Sequence, residues 1–122
     1  MATKSVAPIP GSPVRGSRSG RPIMAALDLL GRRWALRVLW ELREGPQSFR
    51  ALRARCDGVS PTVLNQRLTE LRASGIVAHA RGAGYALSPE GESLLAALAA
   101  LHDWAARWAR SRRARPRRAP RR

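Results

Sequence analysis

Ser60-Pro-Thr-Val-Leu-Asn-Gln-Arg-Leu-Thr-Glu-Leu-Arg-Ala73 is the stretch on which the fold turns. Ser followed by Pro opens a helix well. The N-cap hydroxyl accepts a backbone N–H that would otherwise be orphaned, and Pro at the first helical position has no N–H to lose. At about 100° per residue, Leu64, Leu68 and Leu71 share one side, and Thr62, Asn65, Gln66 and Thr69 share the other. That outer face carries hydroxyls and amides and no acid. Such groups bond phosphate oxygens and base edges, with Asn and Gln able to pair bidentately with adenine and Thr able to touch a thymine methyl. Ser60 and Pro61 mark the positive helix end, where a phosphate is favoured. Every amphipathic helix has a polar outer face, so the flanking elements must decide. Arg67 falls beside Val63 and Glu70, nearer the core than the groove, and can be read either as a half-buried packing residue or as a DNA contact.

Working upstream, Asp57-Gly58 is a turn, and before it Ser48 is a plausible N-cap for a helix running to about Arg55, with Phe49 and Leu52 facing inward. Two helices on a tight turn make the helix-turn-helix unit. In that arrangement the start of the first helix lies along the DNA backbone, which makes Gln47, Ser48 and Arg50 candidate phosphate contacts. Further upstream, Gly45-Pro46 breaks a helix from about Arg33 to Arg43 with a stripe of Leu36, Leu39 and Trp40, and Gly31 ends a short apolar helix that starts at Ile23. Downstream, Gly75 closes the candidate recognition helix. Ile76 to Arg81, the Gly82-Ala83-Gly84 turn and Tyr85 to Ser88 form a short hairpin. Arg81 at its tip is the side chain with which such a wing would reach the minor groove or its phosphates. Ser88-Pro89 repeats the Ser-Pro helix opening and begins a last helix extending to about Arg110. The resulting expectation is a mainly α winged helix-turn-helix with a long C-terminal dimerisation helix.

The last helix carries Leu94, Leu98, Leu101, Ala105 and Trp108 at spacings of four and three, with Trp104 beside the stripe. A stripe of this kind packs either on its own domain or on a partner helix. With Met24 and Leu27 of the first helix, Leu94, Leu98, Leu101, Trp104 and Trp108 are the candidate homodimer contacts.

The formal net charge of +15 is unevenly placed. Residues 107–122 hold nine Arg and no acid, and residues 1–21 hold Lys4, Arg15, Arg18 and Arg21 and no acid. Ten basic and eight acidic residues remain between them, so thirteen of the fifteen charges lie at the two ends. Residues 1–21, rich in Pro, Gly and Ser, are expected to be a disordered basic arm, residues 22–110 the DNA-binding and dimerisation domain, and residues 111–122 a disordered Arg-rich tail. Basic ends on a near-neutral body suit a polyanion. A non-specific nucleoid- or RNA-binding protein is the rival reading, weakened by the lack of an aromatic platform for stacking bases.

Other functions find little support. His79 and His102 are the only near-neutral bases, and neither has an evident Ser, Cys or carboxylate constellation, so no catalytic residues are assigned and the chain is not read as an enzyme. No metal spacing, phosphate loop or cofactor motif occurs. The N-terminus lacks the apolar core of a signal peptide and no stretch is apolar enough to span a bilayer, so a cytoplasmic protein with no membrane partner is expected. Cys56, the single cysteine, stands where a core aliphatic would fit and reads as a buried thiol. Arg53 and Arg55 nearby keep a sensing role as the alternative, because a reactive thiol needs basic neighbours and exposure.

Four stretches together resemble the HxlR-type regulators, bacterial winged-helix transcription factors related to the MarR type. They are Leu27-Asp-Leu-Leu-Gly-Arg-Arg-Trp34, Gly45-Pro-Gln-Ser-Phe-Arg-Ala-Leu52, Val59-Ser-Pro-Thr-Val-Leu-Asn-Gln-Arg-Leu-Thr-Glu-Leu71 and Gly75-Ile-Val77. Tyr85-Ala-Leu-Ser-Pro-Glu-Gly91 resembles that family's second wing strand and the entry to its last helix. The resemblance covers about residues 23–108 and implies dimeric binding to a pseudo-palindromic operator on double-stranded DNA, with a small-molecule or redox effector as a possible partner. Many members carry a cysteine just before the first helix, through which some sense thiol-reactive compounds. Here that region reads Gly20-Arg-Pro-Ile23, and the wing is shorter than the family's.

Overall fold

The computed structural model describes residues 7–11 and 20–114. In chain order these form α1 (Pro22–Leu30), α2 (Ala35–Glu41), α3 (Phe49–Arg55), α4 (Pro61–Ala73), β1 (Val77–Ala80), β2 (Gly84–Leu87), α5 (Pro89–Ala97) and α6 (Ala99–Ala114). This is the winged helix-turn-helix order expected from the sequence.

Local chemistry sets most of the boundaries. Ser48, Ser60 and Ser88 each stand in extended conformation before a helix and accept an N–H three residues on, from Ala51, Val63 and Gly91 at 3.0, 3.1 and 3.1 Å. Each such cap contributes about 1 kcal/mol. α4 ends in a Schellman motif: Gly75, at φ +79°, donates to Arg72 O, and Ile76 donates to Leu71 O.

The core lies beneath α4. Leu64, Leu68 and Leu71 are buried against Val38, Leu39 and Leu42 of the second helical segment, Leu52 and Cys56 of the third, and Leu29, Val59 and Val77. Fully burying one Leu is worth about 1.5–3 kcal/mol, so these residues dominate the attachment of α4. α2 departs from the expected single stripe. Val38 and Leu39 point inward, whereas Leu36 and Trp40, four apart, are 40% and 39% exposed on a second apolar face.

The hairpin pairs antiparallel, Val77 opposite Leu87 and His79 opposite Tyr85. Gln47 adds a bridge on the other side of β2, its N–H 2.9 Å from Tyr85 O and its carbonyl 2.7 Å from Tyr85 N. The wing is therefore tied to the residue that precedes the cap of α3.

Three expectations need correction. The last helix is not continuous: α5 is capped at Leu98 and α6 restarts at Ala99. α6 runs on to Ala114, past the expected end near Arg110. Part of the segment expected to be disordered also meets the domain: Pro8 is buried, its carbonyl lies 3.5 Å from Ser74 Oγ, and Gly11 N–H bonds Gly20 O at 2.9 Å. The rest of the basic arm and tail, residues 1–6, 12–19 and 115–122, lies outside the described residues.

Candidate nucleic-acid interface

With its leucines turned inward, α4 presents Pro61, Thr62, Asn65, Gln66 and Thr69 to solvent. The face holds no acid, as the sequence requires, and exposed Arg72 ends it one turn beyond Thr69. Thr69 Oγ1 donates to Asn65 O at 2.8 Å, so its hydroxyl hydrogen is used within the helix and its methyl and lone pairs remain for a base. Ser60, at the start of the helix, has its oxygen committed to the cap.

The flanks supply the cations. Arg50 on α3 is exposed, and with Arg53, Asp57, Ser60 and Pro61 it lines an open groove between α3 and the start of α4. Arg53, 3.4 Å from Val59 O through Nε, was not singled out as a contact from the sequence, where it stood only as a neighbour of Cys56. Arg81 is exposed at the wing tip, beside Gly82 at φ +73°. The acid in this groove, Asp57, faces Arg37 at 3.8 Å.

Two expected contacts have other work. Gln47 Nε2 donates to Glu41 O at 3.0 Å while its backbone pairs with Tyr85, so Gln47 fastens the wing to the end of α2. Arg67 is withdrawn further. Its Nη1 lies 3.0 and 3.2 Å from the Glu70 oxygens and its Nε 2.7 Å from Arg33 O, with the side chain only 15% exposed. Of the two readings left open by the sequence, the packing role describes its geometry. Among the described residues, no group of three His, Cys, Asp or Glu is placed to hold a metal, and no helix is long and apolar enough to cross a membrane.

A polar helix face braced by a helix on a tight turn and flanked by a two-stranded wing is the arrangement of winged helix-turn-helix proteins. The sequence profile of the HxlR-like helix-turn-helix matches residues 29–113. The chain belongs to the HxlR-like helix-turn-helix family. It is similar to the uncharacterized HTH-type transcriptional regulator YvaP of Bacillus subtilis, 30% identical over 68% of this chain and 82% of that protein. YtfH of Escherichia coli, also an uncharacterized HTH-type transcriptional regulator, is 34% identical over 68% of this chain and 71% of that one. Among solved structures, quinone-bound YodB from B. subtilis superposes with a TM-score of 0.65 at 31% identity, over 70% of this chain and 97% of YodB. A possible HxlR family transcriptional factor from Thermoplasma volcanium gives 0.64 at 29%, over 73% and 85%. As an HxlR-like protein the chain is a DNA-binding transcription regulator and not an enzyme.

Two further features of this HxlR-like chain bear on how it works. α6 has no buried residue, and Leu101, Trp104 and Trp108 are each about half exposed, as is Leu27 on α1. Trp104 and Trp108 stack on each other at 5.3 Å, and His102 stacks on Trp40 at 5.3 Å. Leu94, expected at a subunit contact, instead packs on the domain's own core, while Met24 and Leu98 are half-buried. Cys56 is fully buried at the end of α3. Burial pushes its thiol above the ordinary value, against a smaller opposing pull from Arg37. It is thus a neutral core thiol near neutral pH, and thiols in that form are poor nucleophiles.

Proposed function

We propose that the protein reads operator DNA as a homodimer. The outer face of α4 enters the major groove with Thr62, Asn65, Gln66 and Thr69 at base edges. Ser48, Arg50, Arg53, Ser60 and Pro61 lie against the flanking phosphates, and Arg81 on the wing lies at the minor groove. The observation that carries this reading is that α4 keeps its buried leucines on one side and Thr62, Asn65, Gln66 and Thr69 on the other, with exposed arginines on the flanking elements and, as Arg72, at the far end of the helix. Phosphate contacts give register and affinity, and base-edge contacts give sequence choice.

The second copy docks on α6 and α1. A 16-residue helix with no fully buried residue in its own chain and two half-exposed tryptophans needs cover. A two-fold partner places two α4 helices in successive major grooves, about 34 Å apart. Residues 1–21 and 111–122 add sequence-independent phosphate attraction in the cytoplasm. The geometry of Cys56 does not support thiol-based sensing, so an effector would act elsewhere.

Selection from a random duplex pool tests the reading. The protein should enrich a two-fold related sequence and bind it about 10³-fold or more tighter than random duplex. Equal affinity for selected duplex, random duplex and single strand would instead identify a non-specific basic binder.

A further inference from the structure

Burying leucines selects the inward face of α4 but leaves a small roll of the helix open, because apolar burial is non-directional. Rotation matters at this site. Helix side chains reach about 5–6 Å from the axis, so a roll of about 20° moves their tips by about 2 Å, enough to break a hydrogen bond to a base.

Directional bonds stand on the back of the helix. Glu70 is 2% exposed. It takes Arg67 Nη1 at 3.0 and 3.2 Å from its own helix and Arg32 Nη1 at 2.9 Å from the α1–α2 turn. Arg32 is in turn 3.6 Å from Asp28 on α1. Arg67 also reaches that turn through Nε, 2.7 Å from Arg33 O. The next residue, Trp34, sits at φ +77°, the single non-glycine with positive φ among the described residues. Such a backbone is sparsely populated for a bulky side chain and persists only where its surroundings hold it. Here the turn that carries this strain offers one carbonyl and one guanidinium to the same helix.

We propose that Asp28, Arg32, Glu70 and Arg67 form an ionic clamp that sets the roll of α4, and with it the aim of Asn65 and Gln66. This inference rests on the DNA reading above and assigns Arg67 as a positioning residue, not a DNA contact. The two charges of each sign alternate along the chain of contacts, so the clamp adds no net charge beneath the DNA face. Because it begins on α1, beside the exposed Leu27, it also joins the proposed subunit contact to the recognition helix.

The tests are Glu70→Gln, Arg67→Lys and the paired Arg67→Met/Glu70→Met, read against wild type on a duplex the wild type has selected and on random duplex. Glu70→Gln removes an acid, so simple electrostatics would strengthen all DNA binding. The clamp instead requires about tenfold weaker binding to the selected duplex, unchanged or tighter binding to random duplex, and an unaltered salt slope. Arg67→Lys keeps the charge but cannot fork to both Glu70 and Arg33 O, and should show the same loss. The Met pair removes both α4 members of the clamp together, leaving Arg32 to Asp28, and is the variant for this comparison if Glu70→Gln does not fold. Amide exchange in residues 61–73, measured without DNA, should quicken in every variant while Val38, Leu39 and Leu52 stay protected. Unchanged exchange in α4 overturns the clamp whether or not the wild type selects any DNA. So does a fall of about one in the salt slope with the Met pair, which would make Arg67 a phosphate contact. A wild type that selects no duplex overturns the DNA reading and leaves the exchange measurement to decide the clamp.

Discussion

Gly84→Ala should unfasten the wing. Gly84 opens β2 at φ +91°, and a Cβ there would lie 2.7 Å from Ser48 Cα and nearer still to the Gln47 carbonyl. The obstructing atoms are all backbone, so no rotamer change relieves them. The two hydrogen bonds between Gln47 and Tyr85 must open, at about 1 kcal/mol each. The left-handed backbone costs an alanine about 1–2 kcal/mol more. The sum, about 3–4 kcal/mol, is a large share of the 5–15 kcal/mol (roughly) available to a small domain. Gly82→Ala is the control: Gly82 has φ +73° but nothing within 4 Å of the added methyl, so only the backbone cost of about 1–2 kcal/mol applies. Urea denaturation should therefore separate the two variants by about 2 kcal/mol. If they fall within about 0.5 kcal/mol of each other, the ordinary scatter of surface substitutions, the Gln47–Tyr85 bridge does not hold the wing.

Other outcomes follow from the same geometry. Trp108→Glu combined with Leu27→Glu should convert the proposed dimer to monomer in analytical ultracentrifugation while leaving the helix signal of the domain intact; a dimer that persists would remove α1 and α6 from the contact. Cys56 in the folded protein should resist iodoacetamide at neutral pH and react fully in urea. Because burial raises its pKa, its contribution to stability is complete below the ordinary thiol range and is lost as pH rises through the raised value, so Cys56→Ser should flatten stability on the alkaline side. Deleting residues 115–122 removes five arginines and should weaken binding to all duplexes alike, lowering the salt slope by up to about 4.5. An unchanged slope would exclude the tail from DNA.

How much of this was legible in the sequence depended on range. Ser48, Ser60, Ser88 and Gly75 mark boundaries through bonds made within a few residues, and the structure makes them there. The polar face of α4 follows from helical period alone. The features that the sequence leaves open or misplaces depend on partners in other elements. Gln47 has the chemistry of a phosphate ligand, but its bonds go to Glu41 and to Tyr85, 38 positions away. Arg67 could be placed beside Glu70 by periodicity, whereas Arg32 and the Arg33 carbonyl come from another element. Leu36 and Trp40 looked like core because α2 has apolar residues on two faces, and only the packing shows which face is inward. The break at Leu98 interrupts an Ala- and Leu-rich run with no Gly or Pro to announce it.

The central claim is that the amides on the outer face of α4 read bases. Asn65→Ala with Gln66→Ala, in protein shown to be folded and dimeric by circular dichroism and sedimentation, addresses it most directly through affinities for the wild-type-selected duplex and for random duplex. Each bidentate amide–base pair is worth about 1–3 kcal/mol of discrimination. The ratio of the two affinities should therefore fall by about 30-fold or more, with binding to random duplex and the salt slope unchanged. A folded double variant that keeps the wild-type ratio would show that sequence is read elsewhere.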